Sequence, residues 1–281
     1  MASALKIVKG KLGGPAAAAA ALLALLVAPG ALRAQTPPGE GFDSAAYARV
    51  LETYVTPEGR VRYAALKAEP ADLKAFVEQL AAVSPENRPD LFPTRAAQMA
   101  YWINAYNAFV IHAVVEAYPV ESVRDLKFGF GLLFFKRARF VAGGRRLSLD
   151  DIEHGILRRQ FAEPRMHFAL NCASTSCPPL ARQPYRGESL EAQLDQAARA
   201  FIGREENVWM RGDVLFLSKI FDWYAEDFTR RGGAADGSAT VVDYLLGYLP
   251  AETAARIRQE KPRVEFYNYD WSLNDAGSRA E

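Results

Sequence analysis

Apolar residues recur along this chain at helical spacing in some stretches and at alternate positions in others, and the two periods divide it into elements. Tyr47 to Val55 reads as a short helix, and Ala71 to Val83 as another with Leu73, Phe76, Val77 and Leu80 on one face. Between them Pro57-Glu58-Gly59 turns the chain into Arg60-Val61-Arg62-Tyr63, whose alternation predicts a short strand. Pro93-Thr94 offers a stop and an N-cap to the most apolar helix, Arg95 to Tyr118, which Pro119 ends. The stretch from Ala96 to Val115 carries no formal charge. Gln98, Asn104, Asn107 and His112 would each need a partner in hydrocarbon, so this is expected to be a central buried helix, not a membrane span.

Further on, Phe128 to Phe140 is aromatic and broken by glycines, and Gly143-Gly144 forms a hairpin-like turn into Arg145-Arg146-Leu147. Ser148 caps a helix from Leu149 to Gln160, and Met166 to Cys172 alternates as a strand. Gly187 to Gly203 reads as a helix, Asp213 to Leu217 as a strand followed by Phe221 to Phe228, Val241 to Leu249 as a helix, and Pro262 to Tyr269 as extended chain. Helices and strands mix without strict alternation, which predicts an α+β fold with the apolar helix packed on a small mixed or antiparallel sheet.

The N-terminus changes the picture of the whole. Lys6, Lys9 and Lys11 precede an apolar run from Ala16 to Ala28, then Pro29-Gly30 and Leu32-Arg33-Ala34. This is the order of a secretory signal, with cleavage expected after Ala34 and residues 35–41 as a flexible lead-in. Without those four cations the chain carries 30 Lys+Arg against 33 Asp+Glu, about −3, where the full sequence has +1. A near-neutral body offers no electrostatic footprint for nucleic acid. Periplasmic or secreted placement also puts both cysteines where disulfides persist. No membrane span is expected once the signal is removed.

Histidine and cysteine are scarce, and all of them, His112, His154, His167, Cys172 and Cys177, lie between 112 and 177. A strand from Met166 to Cys172 would put His167, Ala169 and Asn171 on one face and Phe168, Leu170 and Cys172 on the other. Cys172 and Cys177 admit four readings: a disulfide, a reactive thiolate at Cys177, a metal site with His154 and His167, or inert buried thiols. The spacings match no standard zinc pattern. Glu153-His154 could be a base oriented by a carboxylate or a structural pair. Asn104 and Asn107, one helical turn apart, either tie loops to the core or line a pocket, and His112 reads as a satisfied core residue. No P-loop, dinucleotide fingerprint or metalloprotease motif is present, so neither a cofactor nor a metal is expected.

Taken together, five ordered motifs resemble the domain-of-unknown-function 547 family. They are Tyr101-Trp102-Ile103-Asn104-Ala105-Tyr106-Asn107; Asp151-Ile152-Glu153-His154 with Leu157-Arg158; His167 to Pro179; Leu217 to Tyr224 with Asp227-Phe228; and Tyr269-Asp270-Trp271-Ser272-Leu273-Asn274. The resemblance implies one domain over 42–274, with 275–281 a tail, of a kind found in exported bacterial proteins. Fusions of relatives to glutaredoxin-type modules accord with thiol chemistry. Its polar signature maps onto Asn104, Asn107, Glu153, His154, His167, Asn171, Cys172, Ser176, Cys177 and Asp270.

Two functions follow as expectations. One is a thiol-dependent hydrolase or acyl or peptidyl transferase, with Cys177 as nucleophile and His154 or His167 as base. Asn171 would be the orienter, and turn N–H groups around Ser176 the oxyanion donors. Asn104, Asn107, Ser176 and Asp270 would bind a small molecule, peptide or envelope ligand. The other is a non-catalytic envelope binding or assembly domain stapled by a Cys172–Cys177 disulfide. Exposure distinguishes them, because an enzyme must open these groups into a cleft.

Overall fold

The computed structural model describes residues 42–126, 133–229 and 239–277. The expected signal and lead-in, and residues 128–132 of the Gly-broken aromatic stretch, lie outside the described residues. Four helices form the first layer: α1 (Ala45–Tyr54), α2 (Tyr63–Ala68), α3 (Ala71–Ala82) and α4 (Arg95–Ala117). Helix α4 begins where Thr94 Oγ1 accepts the Ala97 N–H at 3.0 Å and is buried continuously from Met99 to Ile111. A helix apolar on every side must be enclosed, and α2 and α3 pack on it. Among the described residues no helix is long and apolar enough to cross a membrane. Thr94→Ala should lower stability by about 1 kcal/mol in urea unfolding, since it orphans a first-turn N–H.

Helix α5 (Leu133–Arg137) leads into an antiparallel hairpin, β1 (Phe140–Ala142) and β2 (Arg145–Leu147). Its two-residue turn needs positive φ at both positions, which Gly143 (56°) and Gly144 (84°) provide without steric cost. Phe140 stacks on Phe109 of α4 with ring centroids 4.8 Å apart, so the central helix does rest on a small sheet. The remaining elements are α6 (Leu190–Ile202), β3 (Val208–Arg211), β4 (Val214–Leu217), α7 (Lys219–Trp223), α8 (Val241–Leu246), α9 (Ala251–Glu260) and β5 (Arg263–Phe266). Strand β4 is central, antiparallel to β3 and parallel to β5. This mixed sheet and its helices enclose a second apolar cluster built on Phe168, Phe201, Phe221 and Phe228. The architecture is α+β.

Two local expectations are corrected, and one strand is new. Arg60 to Tyr63 is not a strand: Val61 alone makes bridges, to Val55 and Asp275, and Tyr63 opens α2, whose Ala and Leu residues favour helix. Strand β3 was not expected. Met166 to Cys172 is no strand either. Pro164 sits at the first position of a 3₁₀ turn over Pro164–Phe168, where Glu163 accepts the Arg165 N–H, and irregular chain follows.

The helix after Ser148 is present, but over Asp151–Phe161 it is wound as a π-helix. Ser148 and Asp151 cap it reciprocally, each side chain accepting the other's N–H at 3.0 and 2.8 Å. Buried positions fall at Ile152, Ile156, Leu157 and Phe161, so Leu157 joins the face of Ile152 and Ile156 while Arg159 is exposed. The π-helix packs on α4. π-Helical turns are rare and recur at functional sites, and this one carries Glu153, His154 and Arg158.

Candidate functional site

Where the two apolar clusters meet, a cleft of about 570 Å³ opens. Glu153, His154 and Arg158 of the π-helix line it, with His167, Cys172 and Cys177, Trp223 and Tyr224 of the α7 region, and Tyr269 and Trp271 near the C-terminus. Cys172 and Cys177 are joined as a disulfide and both are part-exposed. Cys172 does not face an apolar strand side as expected.

The Cys loop is held from three directions. Asn107 on α4 donates to Ala169 O and accepts the Asn171 N–H, at 2.9 and 2.8 Å. Asn104 grips Tyr185 in the same two-way manner. Asn171 accepts the Ala173 N–H at 2.9 Å and donates to Pro178 O at 2.8 Å, closing the loop on itself. This holds Ala173 at φ 65°, a left-handed conformation costing an alanine about 1 kcal/mol. The third support is the C-terminal strap. Thr175 N–H bonds Ser272 O, Asn274 N–H bonds Ala173 O, and Asn274 Nδ2 donates to Asn171 Oδ1 at 3.1 Å. The strap continues past 274, since Tyr118 donates to the Asp275 carboxylate at 2.8 Å and Ala276 N–H bonds Val61 O.

These bonds use the groups the hydrolase arrangement would need. The N–H groups of Ala173, Thr175, Ser176 and Cys177 are bonded within the loop or to the strap, so they do not form an oxyanion hole. Asn171 orders the loop and orients no imidazole. Ser176 Oγ accepts the Asp270 N–H at 2.9 Å, and Asp270 Oδ1 accepts from Ser272 N–H and Oγ. That pair lines a second cavity of about 650 Å³, which shares Cys177 and Pro178 with the cleft.

Each sulfur nevertheless has polar neighbours. The Cys172 N–H points at Cys177 Sγ at 2.8 Å. Cys172 Sγ lies 3.0 Å from Ser174 Oγ and 3.4 Å from the Tyr269 hydroxyl, and Ser174 donates to Tyr269 at 3.0 Å. Burial pushes the Tyr269 phenol above its ordinary range, so it remains a protonated donor.

The polar wall is a connected chain of groups. Asp227 accepts from Arg158 at 2.6 and 2.8 Å and from His167 Nε2 at 2.7 Å. Burial by itself would raise this carboxyl, but the hydrogen bonds of His167 and Arg158 outweigh it and hold Asp227 well below the carboxylate range. An ionised Asp227 fixes a proton on His167 Nε2, so the neutral ring has its lone pair on Nδ1. His167 is 4% exposed and stacks on Tyr224, centroids 3.9 Å apart. Arg158 Nη1 also meets His154 Nδ1 at 3.0 Å. Because a guanidinium only donates, neutral His154 must keep its proton on Nε2, 3.7 Å from Asp150. His154 therefore faces the cleft region as a donor, whereas the general-base reading requires a free lone pair. Glu153 accepts from Tyr224 at 2.6 Å, so it does not orient His154.

Asp227, Arg158, Tyr224, Tyr106 and the aromatic residues of the cleft were not singled out from the sequence, although four of the motifs contain them. His112 is a further difference. Among the described residues its Nδ1 is buried without a partner, and burial pushes its pKa down. Among the described residues no group of three or more His, Cys, Asp or Glu could hold a metal ion.

Fold and site define a mixed α+β domain with a cystine-bearing, aromatic cleft. Residues 91–202, from just before α4 through the π-helix and Cys loop to the end of α6, match the family described as "Protein of unknown function, DUF547". Over this stretch the chain is similar to that family. No curated protein and no solved structure matches it.

Proposed function

We propose that this protein is an exported thiol–disulfide exchange catalyst whose reactive group is the Cys172–Cys177 disulfide. The supporting observation is that both sulfurs line the cleft while each has a donor placed to stabilise a thiolate. A purely structural staple would need neither. The expected hydrolase or acyl transfer has less support, because its orienter and oxyanion donors are bonded elsewhere.

The exchange is balanced as follows. A substrate thiolate attacks Cys177 Sγ, forming a mixed disulfide and expelling Cys172 as a thiolate beside the Ser174 and Tyr269 hydroxyls. The second thiolate of the same dithiol attacks the substrate sulfur of that mixed disulfide. Cys177 leaves as a thiolate and receives the Cys172 N–H. The substrate loses two electrons and becomes a disulfide, and the two protein cysteines take up the electrons and the two protons. A nearby hydrogen-bond donor lowers the leaving thiol's pKa and speeds the step.

The test uses the Cys172→Ser and Cys177→Ser variants with a disulfide-containing peptide. Cys172→Ser should accumulate a mixed disulfide at Cys177. Cys177→Ser should form its adduct at least roughly tenfold more slowly, since Cys177 is the exchanging sulfur. A native disulfide that resists dithiols until the chain is unfolded would overturn the proposal and leave a stapled binding domain.

A further inference from the structure

Resting on the exchange reading, we infer that a wall of Trp223, Tyr269 and Trp271 selects its substrates: extended polypeptide in which the reacting cysteine is flanked by an aromatic or large aliphatic residue. The wall starts at the disulfide, because the Tyr269 hydroxyl is 3.4 Å from Cys172 Sγ. From there the three rings are in mutual contact, with centroids 4.6 Å apart for Tyr269 and Trp271, 4.9 Å for Trp223 and Tyr269, and 5.7 Å for Trp223 and Trp271. Trp223 is 45% exposed, although its neighbours Ile220 and Phe221 in α7 are buried. An indole left in water beside two other rings is apolar area that a ligand can cover.

The wall is also fixed in place. Asp270 N–H bonds Ser176 Oγ, and Ser272 O accepts the Thr175 N–H, so Tyr269 and Trp271 are tied to the loop that bears the sulfurs. A rigid surface loses little entropy when a flexible chain settles on it.

The occupant is a peptide for two reasons. Exchange requires a thiol, which a polypeptide carries next to apolar side chains. A sugar on the same rings would find the carboxylates nearest them already engaged, since Glu153 accepts from Tyr224 and Asp270 Oδ1 from Ser272.

Two readouts separate this inference from the exchange reading. The first is calorimetric binding of hexapeptides in which Ser replaces Cys and is flanked by either Leu and Trp or by Ser. The apolar peptide should bind roughly tenfold or more tightly, and Trp223→Ala with Trp271→Ala should remove the difference, while Trp223→Phe retains most of it. The second is exchange with the matching dicysteine peptides, where the same preference should appear mainly in KM. Exchange that proceeds equally with both peptides overturns the inference and leaves the exchange reading standing. Discriminating binding without any exchange sinks the exchange reading alone. Displacement of the apolar peptide by a soluble chito-oligosaccharide would make the wall a glycan site and overturn the inference. An unchanged urea midpoint shows that the variants are folded.

Discussion

Asp227→Asn is expected to be the most damaging single substitution in the cleft, lowering stability by roughly 3 kcal/mol at neutral pH. The carboxylate neutralises Arg158 through two hydrogen bonds and anchors His167, whose side chain is only 2% exposed. An amide at that place keeps one acceptor, loses the charge, and leaves a guanidinium without its counter-ion. The pH dependence carries the same information. Asp227 titrates lower in the fold than in the unfolded chain, so its contribution is complete above the ordinary Asp value of about 4. It drains away as pH falls from there through the depressed folded value. The gap in urea stability between wild type and Asp227→Asn should therefore be widest at neutral pH and narrow at about pH 3. A variant within about 0.5 kcal/mol of wild type at neutral pH would mean that the charge cluster does not stabilise the fold.

Asn107→Ala should cost about 3 kcal/mol as well, for a different reason. Asn107 is 2% exposed and satisfies one carbonyl and one N–H of the chain that leads into Cys172. Alanine leaves both backbone groups buried and unpaired, at roughly 1–3 kcal/mol each. Urea unfolding measures the loss, and amide hydrogen exchange locates it, since the Asn171 N–H in the Cys loop should lose protection before the amides of α4 do. Uniform protection along the loop in the variant would show that the strap alone holds the Cys loop.

The legible features were those that local chemistry decides. Helix α4 follows from a mostly apolar run, uncharged from Ala96 to Val115, between Thr94 and Pro119, and the β1–β2 turn follows from two adjacent glycines. The strand expected at Met166 to Cys172 failed because alternation over seven residues does not separate a ladder from irregular chain. Here α4 supplies the backbone partners through Asn107. The π-winding of Asp151–Phe161 does not follow from the α period, at which Ile152, Ile156, Leu157 and Phe161 would spread over half the helix; they gather on one face only at the wider π period. At the site, the scarce His and Cys residues did mark the cleft. Their partners were invisible to pattern: Asp227 meets His167 across 60 residues of chain, and Tyr269 meets Cys172 across 97.

Composition and local order were enough to specify an α+β domain, its buried central helix and the segment where sulfur and imidazole concentrate, because burial, capping and turn preference act over a few neighbouring residues. The roles within that segment came from long-range packing. Asn171 became a loop brace, His154 a donor and Asp227 the partner of His167, because hydrogen bonds are assigned by whichever atoms the fold brings within about 3 Å.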